Sequence, residues 1–128
     1  MLNRDGIAKS TYAATKQILA NVDLQSSIGC IVPQSVGVTV GSKKIAKAGT
    51  PIKVDLMNIN STAAKADGSV AMNAVLLHDV DVTDGNANGT ALVFGFVNVN
   101  RVDADVAAAI TTAAAASGRS QLITFVKA

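Results

Sequence analysis

From residue 28 onward the chain is dominated by short apolar runs and alternations of period two, the pattern of strands. Residues 28–32 form a compact apolar run closed by Pro33. Val36, Val38 and Val40 alternate with Gly37, Thr39 and Gly41, and Ile52, Val54 and Leu56 alternate again after the break at Gly49-Thr50-Pro51. Between them, residues 41–44 read as a turn and residues 45–48 as a short strand. Residues 58–69 read as a polar, small-residue loop. Residues 74–82 predict one strand, with Leu76, His78, Val80 and Val82 on one face and Val75, Leu77, Asp79 and Asp81 on the other. Residues 83–90 are turn chemistry throughout, because Asn, Asp and Gly tolerate left-handed conformations. Residues 91–99 then run back, with Leu92, Phe94 and Phe96 on one face and Val93, Val97 and Val99 on the other. A strand apolar on both faces is expected at the centre of a sheet covered on both sides.

Residues 103–117 are the one segment that predicts a firm helix. Asp103 or Asp105 can cap its start, Ala fills its interior, and Gly118-Arg119 suits its end. Residues 121–127, with Leu-Ile-Thr-Phe-Val at their centre, close the chain as a strand. Residues 1–25 follow neither period. Ile7, Tyr12, Ile18 and Leu19 are the sizeable apolar groups between Arg4 and Ala20, and their spacing matches a helical stripe poorly. A short helix over 10–20, capped at Ser10 or Thr11, and an arm that orders only on a partner both fit this pattern. The chain therefore divides into an arm or short helix, 1–27, and one β-rich domain, 28–128. The expected class is α+β but mainly β: a small antiparallel β-barrel or tulip-like domain with one Ala-rich helix and an N-terminal arm.

Composition sharpens this picture. Hydrophobic residues are 49% of the chain but aromatic residues only 3%, so the core is expected to be Val, Ile, Leu and Ala. Every acidic residue is Asp, which favours turns and caps over surface helix. Charged residues, at 16%, are fewer than a lone soluble monomer usually carries, which points to surface covered by other protein chains. Net charge is +2 but uneven. Residues 1–53 carry seven basic groups against Asp5 and Asp23, a net +5, and residues 54–128 carry four against seven Asp, a net −3. One half can thus attract an acidic surface.

Candidate chemistry is sparse. His78 is the single histidine and Cys30 the single cysteine, too few for a metal-ligand cluster. Cys30 lies in an apolar run and reads as a small buried hydrophobe. His78 and Asp79 alternate across a strand, so they cannot form a catalytic pair locally. Asp79, Asp81 and Asp84-Gly85 are out of step with an EF-hand by one residue, and Thr90 stands where its last Glu would be. Gly41-Ser42-Lys43 and the pair Gly85 and Gly89 lack P-loop spacing. The basic residues are not interleaved with aromatics as in single-strand nucleic-acid binders. Residues 1–6 lack the apolar stretch of a secretion signal and no run is long enough to span a bilayer. Synthesis in a cytoplasm, without cofactor, nucleic acid or membrane as partner, is the expectation.

One stretch carries more. Ala74-Val-Leu-Leu-His-Asp-Val-Asp-Val-Thr-Asp-Gly-Asn-Ala-Asn-Gly-Thr-Ala-Leu-Val-Phe-Gly-Phe-Val-Asn-Val-Asn-Arg101 resembles the core segment of tailed-phage head decoration proteins, the lambda-type capsid-stabilising group. Ala48-Gly-Thr-Pro-Ile52 and Leu122-Ile-Thr-Phe-Val126 resemble the same family, so the likeness spans residues 48–128 and is strongest over 74–101. It implies a mainly β domain, not an enzyme, that forms homotrimers on the outer surface of the virion. Such proteins sit at local threefold positions and clamp neighbouring major capsid subunits. The resemblance also implies an N-terminal arm that orders by pairing with a capsid strand. Arg4, Lys9 and Lys16 would steer that arm and Tyr12, Ile18 and Leu19 would anchor it. Deleting residues 1–20 is then expected to leave the β domain folded and to weaken capsid binding. Two other classes stay open: another minor capsid or head-fibre protein, and a small ligand-binding β-barrel with a polar pocket at His78.

Overall fold

The computed structural model describes residues 17–127. Along them run β1 (Ser26–Val32), β2 (Val38–Val40), β3 (Lys43–Ala46), β4 (Pro51–Lys53), β5 (Ala64–Lys65), β6 (Ala74–Leu76), β7 (Val80–Asp81), β8 (Ala87–Asn98), α1 (Ala104–Ala115) and β9 (Ile123–Val126). Strand outweighs helix, 38% against 16%, so the mainly β class holds.

The long strand β8 organises the rest. It pairs antiparallel with β1 along one edge, and along the other with β6, antiparallel, and β9, parallel. Leu92 shows this at a single residue, with Ser27 opposite on one side and Val75 on the other. β4 and β5 continue the sheet beyond β6, in the order β1-β8-β6-β4-β5. A second, antiparallel sheet has the order β2-β3-β7. Both sheets are open, so the expected barrel does not close among the described residues.

Period-two alternation sorts the core into two clusters on opposite faces of the large sheet. On one face Cys30, Val32, Ile52, Ala74, Leu76 and Ala91 meet Ala46, Val80 and Val82 of the small sheet and its margin. On the other face Val75, Leu92, Val97 and Ile123 meet Ala113 of the helix, together with Met72 and Leu77. β8 is thus covered on both sides, as its double apolar pattern requires. The helix buries Val106, Ile110 and Ala113, one stripe at spacings of four and three. Its start is tied down by Lys47, whose Nζ lies 3.2 Å from Asp103 Oδ2 and 3.2 Å from Asp105 Oδ1. These carboxylates, Asp105 foremost, raise the Lys47 pKa.

Several expectations are corrected. Residues 74–82 are two strands, because the chain passes there from the large sheet to the small one, and such a crossing needs a corner. The corner is held by Asp79, whose Oδ1 accepts the Ala48 N–H at 2.7 Å, and by the Gly49 N–H donating to Leu76 O at 2.6 Å. Val36 belongs to the 3-10 turn Gln34–Val36 and not to β2. Lys43 and Lys44 open β3, because the hairpin needs only Gly41-Ser42 between Val40 and Lys43, with Gly41 at φ +63. The loop over 83–90 is shorter than expected, since β8 already begins at Ala87. Leu56 lies outside β4, and the 58–69 loop contains β5.

The face assignment along β8 also shifts. Ser26 pairs with Phe94 and Ser27 with Leu92, which leaves Val93 as an extra residue. This bulge reverses the alternation beyond it. Leu92 and Val97 therefore share one cluster, while Phe94 turns outward. Gly95, at φ +154, completes the bend.

The boundary at residue 27 moves too. Leu19 pairs antiparallel with Val97, the Ala20 N–H donates to Phe96 O, and the Asn98 N–H donates to Ile18 O. Residues 17–20 are extended rather than helical, and belong with the large sheet.

Candidate interaction surface

Of the six residues expected to contact a partner, Arg4, Lys9, Tyr12 and Lys16 lie outside the described residues. Ile18 and Leu19 are 0% and 5% exposed and pack in the core cluster on the helix side of the large sheet. They anchor the chain to itself and cannot serve as contacts for another protein. Only their polarity was visible in the sequence. Their pairing with β8 comes from residues nearly eighty positions away.

Two of the carboxylates singled out for chemistry, Asp79 and Asp81, hold backbone in place, and Asp67 does the same in its own turn. Asp79 holds the corner between the sheets, 31 residues from the Ala48 amide it accepts. Asp81 accepts from the Thr83 hydroxyl at 2.6 Å and the Thr83 N–H at 2.9 Å, which lowers its pKa, with Lys43 adding a smaller share. Asp67 accepts from the Ser69 and Val70 N–H groups and the Ser69 hydroxyl, and its pKa is likewise lowered. Among the described residues no group of three His, Cys, Asp or Glu side chains is placed to hold a metal ion. Cys30 is buried, and burial pushes its thiol pKa up, away from the reactive thiolate. His78 is half-buried, and its Nδ1 has no hydrogen-bond partner among the described residues.

What the surface does offer is apolar. The turn after β4 is braced from within: the Met57 N–H donates to Asp55 Oδ1 at 3.0 Å, the Asn58 N–H to Asp55 O at 3.0 Å, and the Ser61 N–H to Asn58 O at 3.0 Å. Asn73 clamps its base, accepting from the Val54 N–H and donating to Val54 O, both at 2.8 Å. This frame holds Leu56, Met57 and Ile59 outward, with Met57 95% exposed. A second group comes from the bulge in β8. Phe94 is exposed, and Leu122 stands one position before Ile123, the partner of Gly95. Leu122 therefore flanks Phe94 and is 58% exposed. Val22 and Leu24, in the turn leading into β1, are also exposed.

Neither group stands out in the sequence, where alternation puts Leu56 in a strand with Ile52 and Val54 and sets Phe94 on the face of Leu92. An apolar triplet among Asn and Ser is a signal that could have marked the turn, whereas the bulge leaves no mark in the sequence. No helix among the described residues is long and apolar enough to cross a membrane. No family model matches the chain, and no curated protein matches it.

Proposed function

We propose that this protein is a structural component of a tailed-phage virion that decorates the outside of the capsid and stabilises it. The observation that carries the reading is the set of large apolar side chains held outward on braced backbone, foremost Leu56, Met57 and Ile59, in a chain of low charge. Exposed apolar groups on fixed turns suit permanent burial against other protein. The likeness of residues 74–101 to head decoration proteins supplies the class of partner, the major capsid protein. On this reading three copies gather at each local threefold position and clamp adjacent capsid subunits. Arg4, Lys9, Lys16 and Tyr12 remain proposed contacts, and the apolar turn after β4 joins them. Each contact is weak, and repetition over the shell makes the whole strong through avidity.

The test is to assemble heads with and without the protein and to heat them. Heads lacking it should form but release their DNA at lower temperature, and added protein should restore resistance. Equal heat resistance of the two preparations would overturn the proposal.

A further inference from the structure

Among the described residues, the outer edge of β1 is the longest edge of the large sheet, and no other strand pairs with it before Ile31. Its seven residues, Ser26–Val32, contain no charge and no proline, the two devices that commonly blunt an edge. The backbone parity is fixed at its far end, where the Ala63 N–H donates to Ile31 O at 2.9 Å. Ile31 therefore turns its backbone away from β8, and Gly29 and Ser27, two and four residues earlier, do the same. Their outward N–H and C=O groups have no hydrogen-bond partner among the described residues.

Gly29 adds an independent observation. Glycine weakens a strand interior and often marks the close approach of another backbone. The fold itself does not call for glycine here: a Cβ at this position would meet nothing within 4 Å. The edge is also flanked by apolar groups at both ends. Ile59 and Asn60 line a groove with Gly29, Cys30 and Ile31, while Val22 and Leu24 stand exposed before Ser26.

We infer that the outer edge of β1 pairs antiparallel with β1 of a second copy of this chain, about a twofold axis at Ile28. Such pairing sets Ser27 of each copy opposite Gly29 of the other, and the four outward backbone groups on each side find partners. Antiparallel direction brings the Leu24 end of one strand against the Ile59 end of the other, so the two apolar flanks cover each other. An uncharged edge places no like charges in opposition when it meets itself. The pairing is short, because Thr62 and Ala63 cover the edge from Ile31 onward and the chain turns before Ser26. The contact is therefore weak in solution and counts most where copies are already held close. It does not depend on the decoration reading. On an icosahedral shell it would join neighbouring threefold clusters, since twofold axes lie between the threefold positions there.

Sedimentation equilibrium of the full chain, up to about 1 mM, tests the inference. The expected result is a monomer–dimer equilibrium. Gly29→Pro, which removes an outward N–H and puts a ring on the edge, should weaken association at least tenfold while circular dichroism stays unchanged. If that variant loses its β signal, Leu24→Asp replaces it, since Leu24 lies outside the strands with about half of its surface in solvent. Ile28→Cys should form a symmetric disulfide on oxidation, because a non-hydrogen-bonded antiparallel pair sets its Cα atoms about 4.5 Å apart. A monomer throughout the range, a trimer in place of the dimer, no cross-link at Cys in position 28, or folded edge variants that associate like the parent would each overturn it.

Discussion

Single positions in this protein differ sharply in what the surrounding structure asks of them, and its glycines make the contrast testable. Gly49 has φ +91, and a Cβ there would lie 2.6 Å from Val102 Cγ1. Strain and overlap add, so Gly49→Ala should cost about 2 kcal/mol or more in urea unfolding. Gly29 meets nothing, so Gly29→Ala should leave stability unchanged or raise it by up to about 1 kcal/mol. Equal effects at the two positions would contradict close packing of Gly49 against Val102 beneath the helix start. Asp79 offers a second test at this scale. Asp79→Ala leaves the buried Ala48 N–H unpaired and should destabilise by about 1–3 kcal/mol, whereas Asp79→Asn keeps an acceptor and should recover most of the loss.

Among the elements, the turns carry the pH dependence and the apolar display. Asp67 and Asp81 brace their turns as carboxylates, and hydrogen bonds from Ser69 and Thr83 lower their pKa values in the folded state. A depressed folded pKa means that the stabilisation is complete above the unfolded value, about 3.9, and fades as pH falls through the folded one. Stability should therefore decline below about pH 4, and an Asp67→Asn/Asp81→Asn double variant should show a shallower decline. An unchanged acid limb in that variant would contradict the assignment. The turn after β4 predicts the opposite separation of effects. Met57→Asp should leave the unfolding free energy within about 0.5 kcal/mol, since Met57 touches little, yet weaken binding to capsid roughly tenfold. Unchanged binding would remove that turn from the proposed contact surface.

At the scale of the whole molecule, the large sheet works as a partition with a core on each face, and the segment before β1 closes one of them. Ile18 is fully buried there. Deleting residues 1–20 is therefore not the neutral trimming that the sequence pattern suggested. It should destabilise the domain by several kcal/mol, and Ile18→Ala alone by about 2–5 kcal/mol. Thermal unfolding of the truncated chain and of Ile18→Ala would settle this, and wild-type behaviour of either would return residues 17–20 to the status of an appendage. Any loss of capsid binding in the truncated chain must first be corrected for its loss of fold.

Features that depend on local pattern are legible in the residues alone. Alternation placed Val75 and Leu77 against Leu76 and Val82 on opposite faces, and the double apolar run marked β8 as central. Ala with flanking Asp and Gly located the helix. Features that depend on distant partners are not. The corner at 77–79 exists because two sheets must be joined, and the bulge at Val93 because β1 and β8 meet out of step at Ser26. Ile18 and Leu19 are core because β8 offers them an edge almost eighty residues later. The candidate surface was the least legible part. Leu56 and Phe94 look like core residues in any window of sequence, and only the braced turn and the bulge, both set by backbone hydrogen bonds, turn them toward solvent.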